Sequence, residues 1–147
     1  MADIIPHDSF RSFMEKEQDI NGTDTIKVAL IKSGYTPSPD HTQYSDVSGQ
    51  ELANSNGYTT GGATVTASVA DSDANDNVKV DISDPTWTAS SGALGGAAAR
   101  YAAVYNNSST PKSLLYIIDF GADQTITDGQ QFTIQIDADG LYTVAQA

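Results

Sequence analysis

The sequence predicts a mainly β protein, an antiparallel β-sandwich of the jelly-roll type with one short N-terminal α-helix. Apolar and polar residues alternate in several short runs, and turn-forming residues separate these runs. Helical patterns do not alternate with the strands, which argues against a parallel βαβ sheet. A chain of 147 residues is most simply one domain. We place an N-terminal arm and helix at residues 1–22 and a single sandwich domain at residues 23–147.

The predicted helix lies near the N-terminus, in PHDSFRSFMEKEQ. Pro6 suits a first helical turn, and Asn21-Gly22 suits its end. Phe10, Phe13 and Met14 follow the i, i+3, i+4 rule and therefore share one face. That face either packs on the protein's own core or docks on a neighbouring subunit.

About eight strands follow, each with a side-chain period of two. TIKVALIK, ATVTASVA and VKVDIS each have one apolar face, whereas SLLYIIDFG is apolar on both faces and should be a central strand covered on both sides. FTIQIDADGLYTV predicts a hairpin with its turn at Asp139-Gly140. TWTAS and ARYAAVY complete the set. The predicted core residues are Ile26, Val28, Leu30, Val65, Val80, Val104, Leu115, Ile117, Phe120, Phe132, Ile134 and Ile136.

Two stretches are poor in bulky aliphatic residues. YSDVSGQELANSNGYTTGGATVT, residues 44–66, predicts a long ordered excursion between strands that offers a contact surface. SGALGGAAAR, residues 91–100, predicts a loop, or a place where another backbone approaches closely.

Charge and composition exclude several classes of partner. Seven Lys and Arg residues against 19 Asp and Glu residues give a net charge of −12, which repels nucleic acid and favours a basic protein surface. The chain contains no Cys, so it has neither disulfides nor Cys-based metal sites. Neither a signal peptide nor a membrane span is recognisable, so we expect a soluble protein made in the cytoplasm.

Catalytic motifs are not recognisable either. The chain has two histidines, His7 and His41, and no Gly-x-Ser-x-Gly sequence, so a Ser-His-acid triad is not expected. The glycine spacing in GALGGAAAR matches neither a dinucleotide-binding motif nor a P-loop. The chain is also short for the aromatic-lined groove of a glycosidase. We therefore predict a protein that is not an enzyme and has no cofactor.

One acidic run has the spacing of calcium ligands. Asp71, Asp73 and Asn75 recur at alternate positions, but Asp76 stands where an EF-hand needs Gly and Ile82 where it needs Glu. An acidic hairpin turn is the favoured interpretation, and no metal site is predicted.

Four aromatic residues could form a surface that stacks on sugar rings: Trp87, Tyr35, Tyr44 and Tyr58. Half-buried strand aromatics are the commoner explanation of such a set.

The order of these motifs resembles a family of small structural proteins of tailed bacteriophages and prophages, of the capsid decoration (cement) or head-associated type. A short amphipathic helix is followed by DTIKVALIKSGYTPSPDHTQYSDVSGQEL, GYTTGGATVT, DPTWTAS, ARYAAVYNN, LLYIIDFG and FTIQIDADGLYTV. The likeness covers nearly the whole chain from about Phe10, and the loop at residues 92–99 departs most from it.

The resemblance implies a non-enzymatic virion protein on the capsid surface that bridges subunits of the major capsid protein, and it implies a homotrimer. We expect the N-terminal arm to contact the capsid or another subunit through Ile4, Ile5, Phe10, Phe13 and Met14. A neck or tail component (fibre or adaptor) and a carbohydrate-binding virion module are the alternatives.

Overall fold

The computed structural model describes residues 3–6, 9, 19, 21–72 and 77–145. Within these ranges the chain forms nine strands, one short α-helix and one 3₁₀ turn. The elements are β1 (Ile26–Ile31), α1 (Ser45–Ser48), β2 (Ala63–Val65), β3 (Ala67–Ser72), β4 (Asn77–Ile82), β5 (Thr86–Thr88), the 3₁₀ turn (Leu94–Gly96), β6 (Ala99–Asn106), β7 (Leu114–Gln124), β8 (Gln131–Thr133) and β9 (Tyr142–Ala145).

The nine strands form three sheets, and every strand pairing is antiparallel. The largest sheet has the order β2-β1-β6-β7, and the smaller sheets have the orders β3-β4-β9 and β5-β8. The prediction of a mainly β, antiparallel fold is therefore confirmed. The jelly-roll connectivity and the division at residue 22 stay predictions.

The middle of the four-stranded sheet is buried on both faces, because β1, β6 and the first half of β7 have few polar side chains. The single apolar face predicted for β1 is therefore wrong, since Ala29 and Ile31 on its other face are buried as well. On one face Val28, Leu30 and Val104 share a core with Val80 of β4 and Trp87 of β5. This shared core gives the layering expected of two packed sheets.

The other face of the same sheet has a second core. Ile31 and Tyr105 pack there against Tyr35 and Val47, which belong to the segment between β1 and β2. The central strand predicted from SLLYIIDFG is β7, and it contributes Leu115 to the first core and Leu114 and Ile117 to the second. Its expected burial on both faces is confirmed from Leu114 to Ile117. The predicted central position is wrong, because β7 is an edge strand of this sheet. Apolar residues on both faces of a strand indicate that both faces are covered, but they do not show how many strands flank it.

The predicted core residues are all found in these cores. Nine are buried, and Phe120, Phe132 and Ile136 are partly buried and pack against the first core.

The run ATVTASVA, predicted as one strand, divides into two strands at Thr66. β2 pairs with β1 in the large sheet, whereas β3 pairs with β4 in a smaller one. Ser83 holds the corner: its N–H donates to the Thr66 carbonyl over 2.8 Å, and its Oγ accepts from the Thr66 N–H over 3.0 Å. The chain thus passes from one sheet to the other.

The predicted C-terminal hairpin is wrong, although its turn exists. The Gly140 N–H donates to the Asp137 carbonyl over 2.8 Å, but β8 pairs with β5 and β9 pairs with β4. Alternation fixes which side chains face the core, but it does not fix the partner strand. Here Phe132 stacks on Trp87 of β5, with ring centroids 6.2 Å apart.

The helix α1 was not predicted. It is a four-residue helix inside the polar excursion, and it buries only Val47. Of the helix predicted around Phe10, only Pro6 and Ser9 are described, and Ser9 is helical; residues 10–18 lie outside the described ranges.

Candidate functional site

The predicted arm residues divide between described and undescribed parts of the chain. Ile4 forms an antiparallel bridge with Ile117 of β7, with N–H···O distances of 3.0 and 2.8 Å. Ile4 packs against the second core and Ile5 against the first, and both are half-buried. Phe10, Phe13 and Met14 lie outside the described ranges. The expected capsid contact of these five residues stays a prediction, and Ile4 and Ile5 also belong to the chain's own packing.

The four aromatic residues considered for sugar binding separate into two groups. Trp87 and Tyr58, 6% and 2% exposed, lie in the first core with ring centroids 6.5 Å apart. Tyr35, 5% exposed, and the half-buried Tyr44 lie on the other side of the large sheet. These four rings therefore do not form one exposed platform.

The polar excursion is an ordered extension of the large sheet. β2 covers β1 only as far as Val28, and the excursion covers the rest. The Leu52 N–H donates to the Leu30 carbonyl over 2.9 Å, and the Lys32 N–H donates to the Gln50 carbonyl over 2.8 Å. Residues 50–52 thus pair with the half of β1 that β2 leaves open.

Glu51 holds the excursion from inside. Its side chain is buried at 8% exposure and accepts hydrogen bonds from the hydroxyls of Tyr58 (2.6 Å) and Tyr44 and from the Gly61 N–H (2.7 Å). The Tyr105 hydroxyl donates to the Gly61 carbonyl over 2.7 Å. A buried carboxylate needs such donors because its desolvation is otherwise costly. The network ties both ends of the excursion to the sheet.

The same burial perturbs the tyrosines around Glu51. Burial raises the pKa of Tyr105 to about 12, and the negative charge of Glu51 adds to the rise. Burial, followed by the hydrogen bond to Glu51, raises the pKa of Tyr44 and of Tyr58 well above the ordinary range. All three phenols are thereby kept protonated as hydrogen-bond donors, those of Tyr44 and Tyr58 to Glu51 and that of Tyr105 to the Gly61 carbonyl, and they stabilise the fold.

The Gly/Ala-rich loop packs against the excursion. The Gly95 N–H donates to the Ser55 carbonyl over 3.1 Å, and the Asn56 amide donates to the Ala93 carbonyl over 2.9 Å. Gly95 has φ of 59°, and a Cβ there would lie 2.6 Å from the Leu52 Cβ. Both interpretations of this stretch are therefore correct: residues 91–98 form a loop with one 3₁₀ turn, and this loop lies close to the backbone of the excursion.

The apolar face of the three-stranded sheet continues beyond the core. Val69, Val78 and Val144 are 36%, 40% and 49% exposed. Val78 lies directly opposite Val144, and two residues further along β4 Val80 lies opposite Val69. Alternation therefore puts Val69, Val78 and Val144 on the face that Val80 buries. We call these three residues the valine end.

The valine end was not predicted, because alternation assigned Val69 and Val78 to a buried face. Alternation identifies the apolar face of a strand but not where the layer covering that face stops. The opposite layer buries Val80, at 8% exposure, but leaves Val78 partly open. The valine end is the exposed edge of an otherwise ordinary core face.

The remaining candidate chemistries give no assembled site among the described residues. The Tyr35 hydroxyl and the His41 Nδ1 share a hydrogen bond of 2.7 Å, and His7 is not described. In the described ranges no three His, Asp or Glu side chains come together as metal ligands. Asp73 and Asn75 are not described, so the calcium-like run remains untested. No described helix has the length and apolarity needed to cross a membrane.

Comparison with known proteins gives no relative. The chain matches no protein-family model, and neither a curated protein nor a solved structure is detectably similar to it.

Proposed function

We propose that this chain is a structural protein that docks on a protein shell, and that the shell is the capsid of a tailed phage or prophage. The valine end carries the docking part of this proposal. The phage assignment rests on the order of sequence motifs alone. Capsid decoration is the form of docking that the resemblance favours, with the major capsid protein as partner and a homotrimer as the assembled form.

The valine end has the chemistry of a protein contact. Three β-branched side chains stand on adjacent strands of a small sheet and remain between one third and one half exposed. Contiguous apolar surface of this kind marks interaction sites more often than chance. Completing the burial of one valine contributes up to about 1.5 kcal/mol to the free energy of binding. Three valines can therefore form the centre of an interface to which other residues add contacts.

Charge selects the partner's surface. A net charge of −12 favours solubility of the free protein. Basic patches on a shell attract it and raise the rate of encounter. Copies bound to the shell are also stabilised against unfolding by mass action, which suits a small domain.

Two substitutions on one strand test the docking face. Val144→Asp puts a carboxylate on the valine end, whereas Thr143→Asp makes the same charge change on the opposite face of β9, where Thr143 is exposed. Empty shells are prepared from the particle whose genome encodes the chain, and co-sedimentation measures binding. We expect Val144→Asp to weaken binding at least about tenfold and Thr143→Asp to leave it unchanged.

Equal binding of the two variants to the shells would contradict the proposal that the valine end is the docking face. A wild-type protein that does not sediment with these shells would overturn the proposed function itself.

A further inference from the structure

A groove lies between β7 and the segment that begins at β8. Its larger part has a volume of about 270 Å³ and is lined by Phe120 and Gln124 on one side and by residues 132–135 on the other. A smaller part, of about 140 Å³, lies further along the same two strands, at Ile118 and Ile136. Residues 131–137 span about 20 Å at the ordinary rise of a strand, which is the length of a six-residue extended peptide.

The floor of the groove is hydrophobic core that reaches the surface. Ile118, Phe120, Phe132 and Ile136 all pack against the first core, yet each remains partly exposed. The rings of Phe120 and Phe132 meet edge to face, with centroids 5.6 Å apart. Two sheets that share a core usually cover it fully. Here the core is left partly exposed between β7 and β8.

Among the described residues, one wall of the groove is a strand edge that pairs with no other strand, because β8 pairs only with β5. The Ile134 N–H donates to the Pro85 carbonyl over 3.0 Å, and the Ile136 N–H donates to Asp84 Oδ1 over 2.9 Å, so these N–H groups point towards β5. Along a strand, the N–H and C=O groups of successive residues point alternately to its two edges. The N–H and C=O groups of Thr133 and Gln135 therefore point away from β5. An unpaired edge of this kind is a template for another strand.

The smaller part of the groove is acidic. Asp3 and Asp137 both line it, and both are exposed. Asp123, whose side chain is 52% exposed, precedes Gln124 at the other end. The Arg100 guanidinium lies 3.2 Å from Asp119 and 4.0 Å from Asp123, so it pairs with both of these carboxylates. The groove thus combines an apolar floor, one open edge and the exposed carboxylates of Asp3 and Asp137 at its rim.

We propose that this groove binds an extended segment of a different protein, not of a second copy of this chain, and that the segment adds as a β-strand to the open edge of β8. Alternate side chains of the segment are apolar and lie against Phe120 and Phe132. A Lys or Arg side chain of the segment lies near Asp3 and Asp137. Main-chain hydrogen bonds to Thr133 and Gln135 supply affinity, and the apolar floor and the acidic rim supply specificity, as in other cases of strand addition.

The bridge between Ile4 and Ile117 supports this assignment, because it shows an extended segment paired to the neighbouring part of β7. The proposal is independent of the shell, because the groove and the valine end are lined by different residues.

Three synthetic hexapeptides serve as probes in a fluorescence anisotropy titration of the full chain. One alternates Lys and Val, one alternates Glu and Val, and the third is the Lys-Val peptide with alternate amides N-methylated to block strand pairing. We expect saturable binding of the Lys-Val peptide that weakens with added salt, and at least about tenfold weaker binding of the other two.

Two substitutions at one position separate edge pairing from packing. Thr133→Pro removes the outward N–H without removing a ladder hydrogen bond, which an edge strand tolerates. Thr133→Val keeps that N–H and, like Thr133→Pro, loses the hydroxyl that bonds Thr86 at 2.8 Å. We expect Thr133→Pro to weaken Lys-Val peptide binding at least about tenfold and Thr133→Val to change it less than about twofold, with both variants folded by circular dichroism. If Thr133→Pro does not fold, the N-methylated peptide provides the same comparison on the wild-type chain.

Several outcomes would overturn the proposal. They are absence of Lys-Val binding, equal binding of the N-methylated peptide, or equal effects of the two Thr133 variants. Concentration-dependent self-association that Thr133→Pro abolishes would make a second copy of this chain the occupant, which also contradicts a foreign segment. None of these measurements uses shells, so failure here and failure of the proposed function are distinguishable.

Discussion

The Tyr58 hydroxyl joins Glu51 to the main chain of β1. It donates to Glu51 Oε1 over 2.6 Å and accepts from the Leu30 N–H over 2.9 Å. Leu30 lies beyond the part of β1 that β2 covers. Its carbonyl accepts from the Leu52 N–H, whereas its N–H has this hydroxyl as its acceptor. One side chain thus satisfies both a buried carboxylate and a buried backbone donor.

The first prediction removes that hydroxyl. Tyr58→Phe leaves the Leu30 N–H without its acceptor and takes one donor from Glu51, so we expect the free energy of unfolding to fall by about 1–3 kcal/mol. Tyr35→Phe is the control. The Tyr35 hydroxyl bonds His41, and because His41 is half-exposed, water can take the place of that hydroxyl. Urea unfolding measures both variants. Equal losses in the two would show that the Tyr58 hydroxyl has no special role.

The second prediction concerns the end of the polar excursion. Gly62 has φ of 77°, and a Cβ there would lie 1.9 Å from the Val28 carbonyl oxygen. We expect Gly62→Ala to lower the free energy of unfolding by more than about 2 kcal/mol, because both the backbone conformation and the contact are unfavourable to Ala. Gly49→Ala is the control: Gly49 has φ of −65° and nothing within 4 Å. Thermal unfolding of the two variants should differ clearly, and a stable Gly62→Ala protein would contradict the close approach.

The third prediction is alkaline unfolding. Burial raises the pKa of Tyr35, Tyr105 and Tyr116 from 10.0 to about 12 in the folded chain. Between these values the unfolded chain releases phenolic protons that the folded chain retains, so stability is fully present below pH 10 and falls as the pH rises towards 12.

Melting temperature against pH measures this effect, and tyrosinate absorbance reports ionisation. We expect most of the phenols to ionise only as the chain unfolds. Tyrosinate absorbance that rises in the ordinary range while the fold persists would contradict the burial of these rings.

The fourth prediction separates two roles of the N-terminal segment. Ile4→Ala loses half-buried contacts near Ile117, so we expect the free energy of unfolding of the isolated protein to fall by about 1–3 kcal/mol. Val144→Ala, at an exposed site, should change it by less than about 0.5 kcal/mol. Urea unfolding of the isolated chain measures both.

The partner role of the segment needs a different assay. Deleting residues 1–20 should leave a folded β protein that binds shells weakly, if Phe10, Phe13 and Met14 contact the shell as predicted. A truncated protein that decorates as tightly as the full chain would show that the arm serves only its own domain.

Periodicity predicted most of the strands but not which strand each one pairs with. Alternation alone predicts that Ile26, Val28 and Leu30 share a buried face. A polar residue at one of these positions would lower the stability of the fold. The partner of Phe132 depends instead on Trp87, which lies 45 positions earlier in the sequence. Alternation gives no information about such a long-range contact, so the hairpin prediction was wrong.

The candidate surfaces were harder to predict for a related reason. A valine at position 78 and one at position 80 look alike in the sequence, and only the extent of the opposite layer makes one exposed and the other buried. Glu51 resembles any surface acid until Tyr58 and Gly61 surround it. The groove beside β8 depends on the distance between β7 and β8, which follow one another in the sequence but belong to different sheets.

The most direct test of the central claim is a cryo-EM map of particles whose genome encodes this chain. Capsid decoration predicts density for this fold over the whole shell, at a copy number comparable to that of the major capsid protein, and densitometry of purified particles should agree. Contacts to the shell should include the valine end. Density confined to the portal, neck or tail would contradict capsid decoration, and particles without the protein would contradict a virion role altogether.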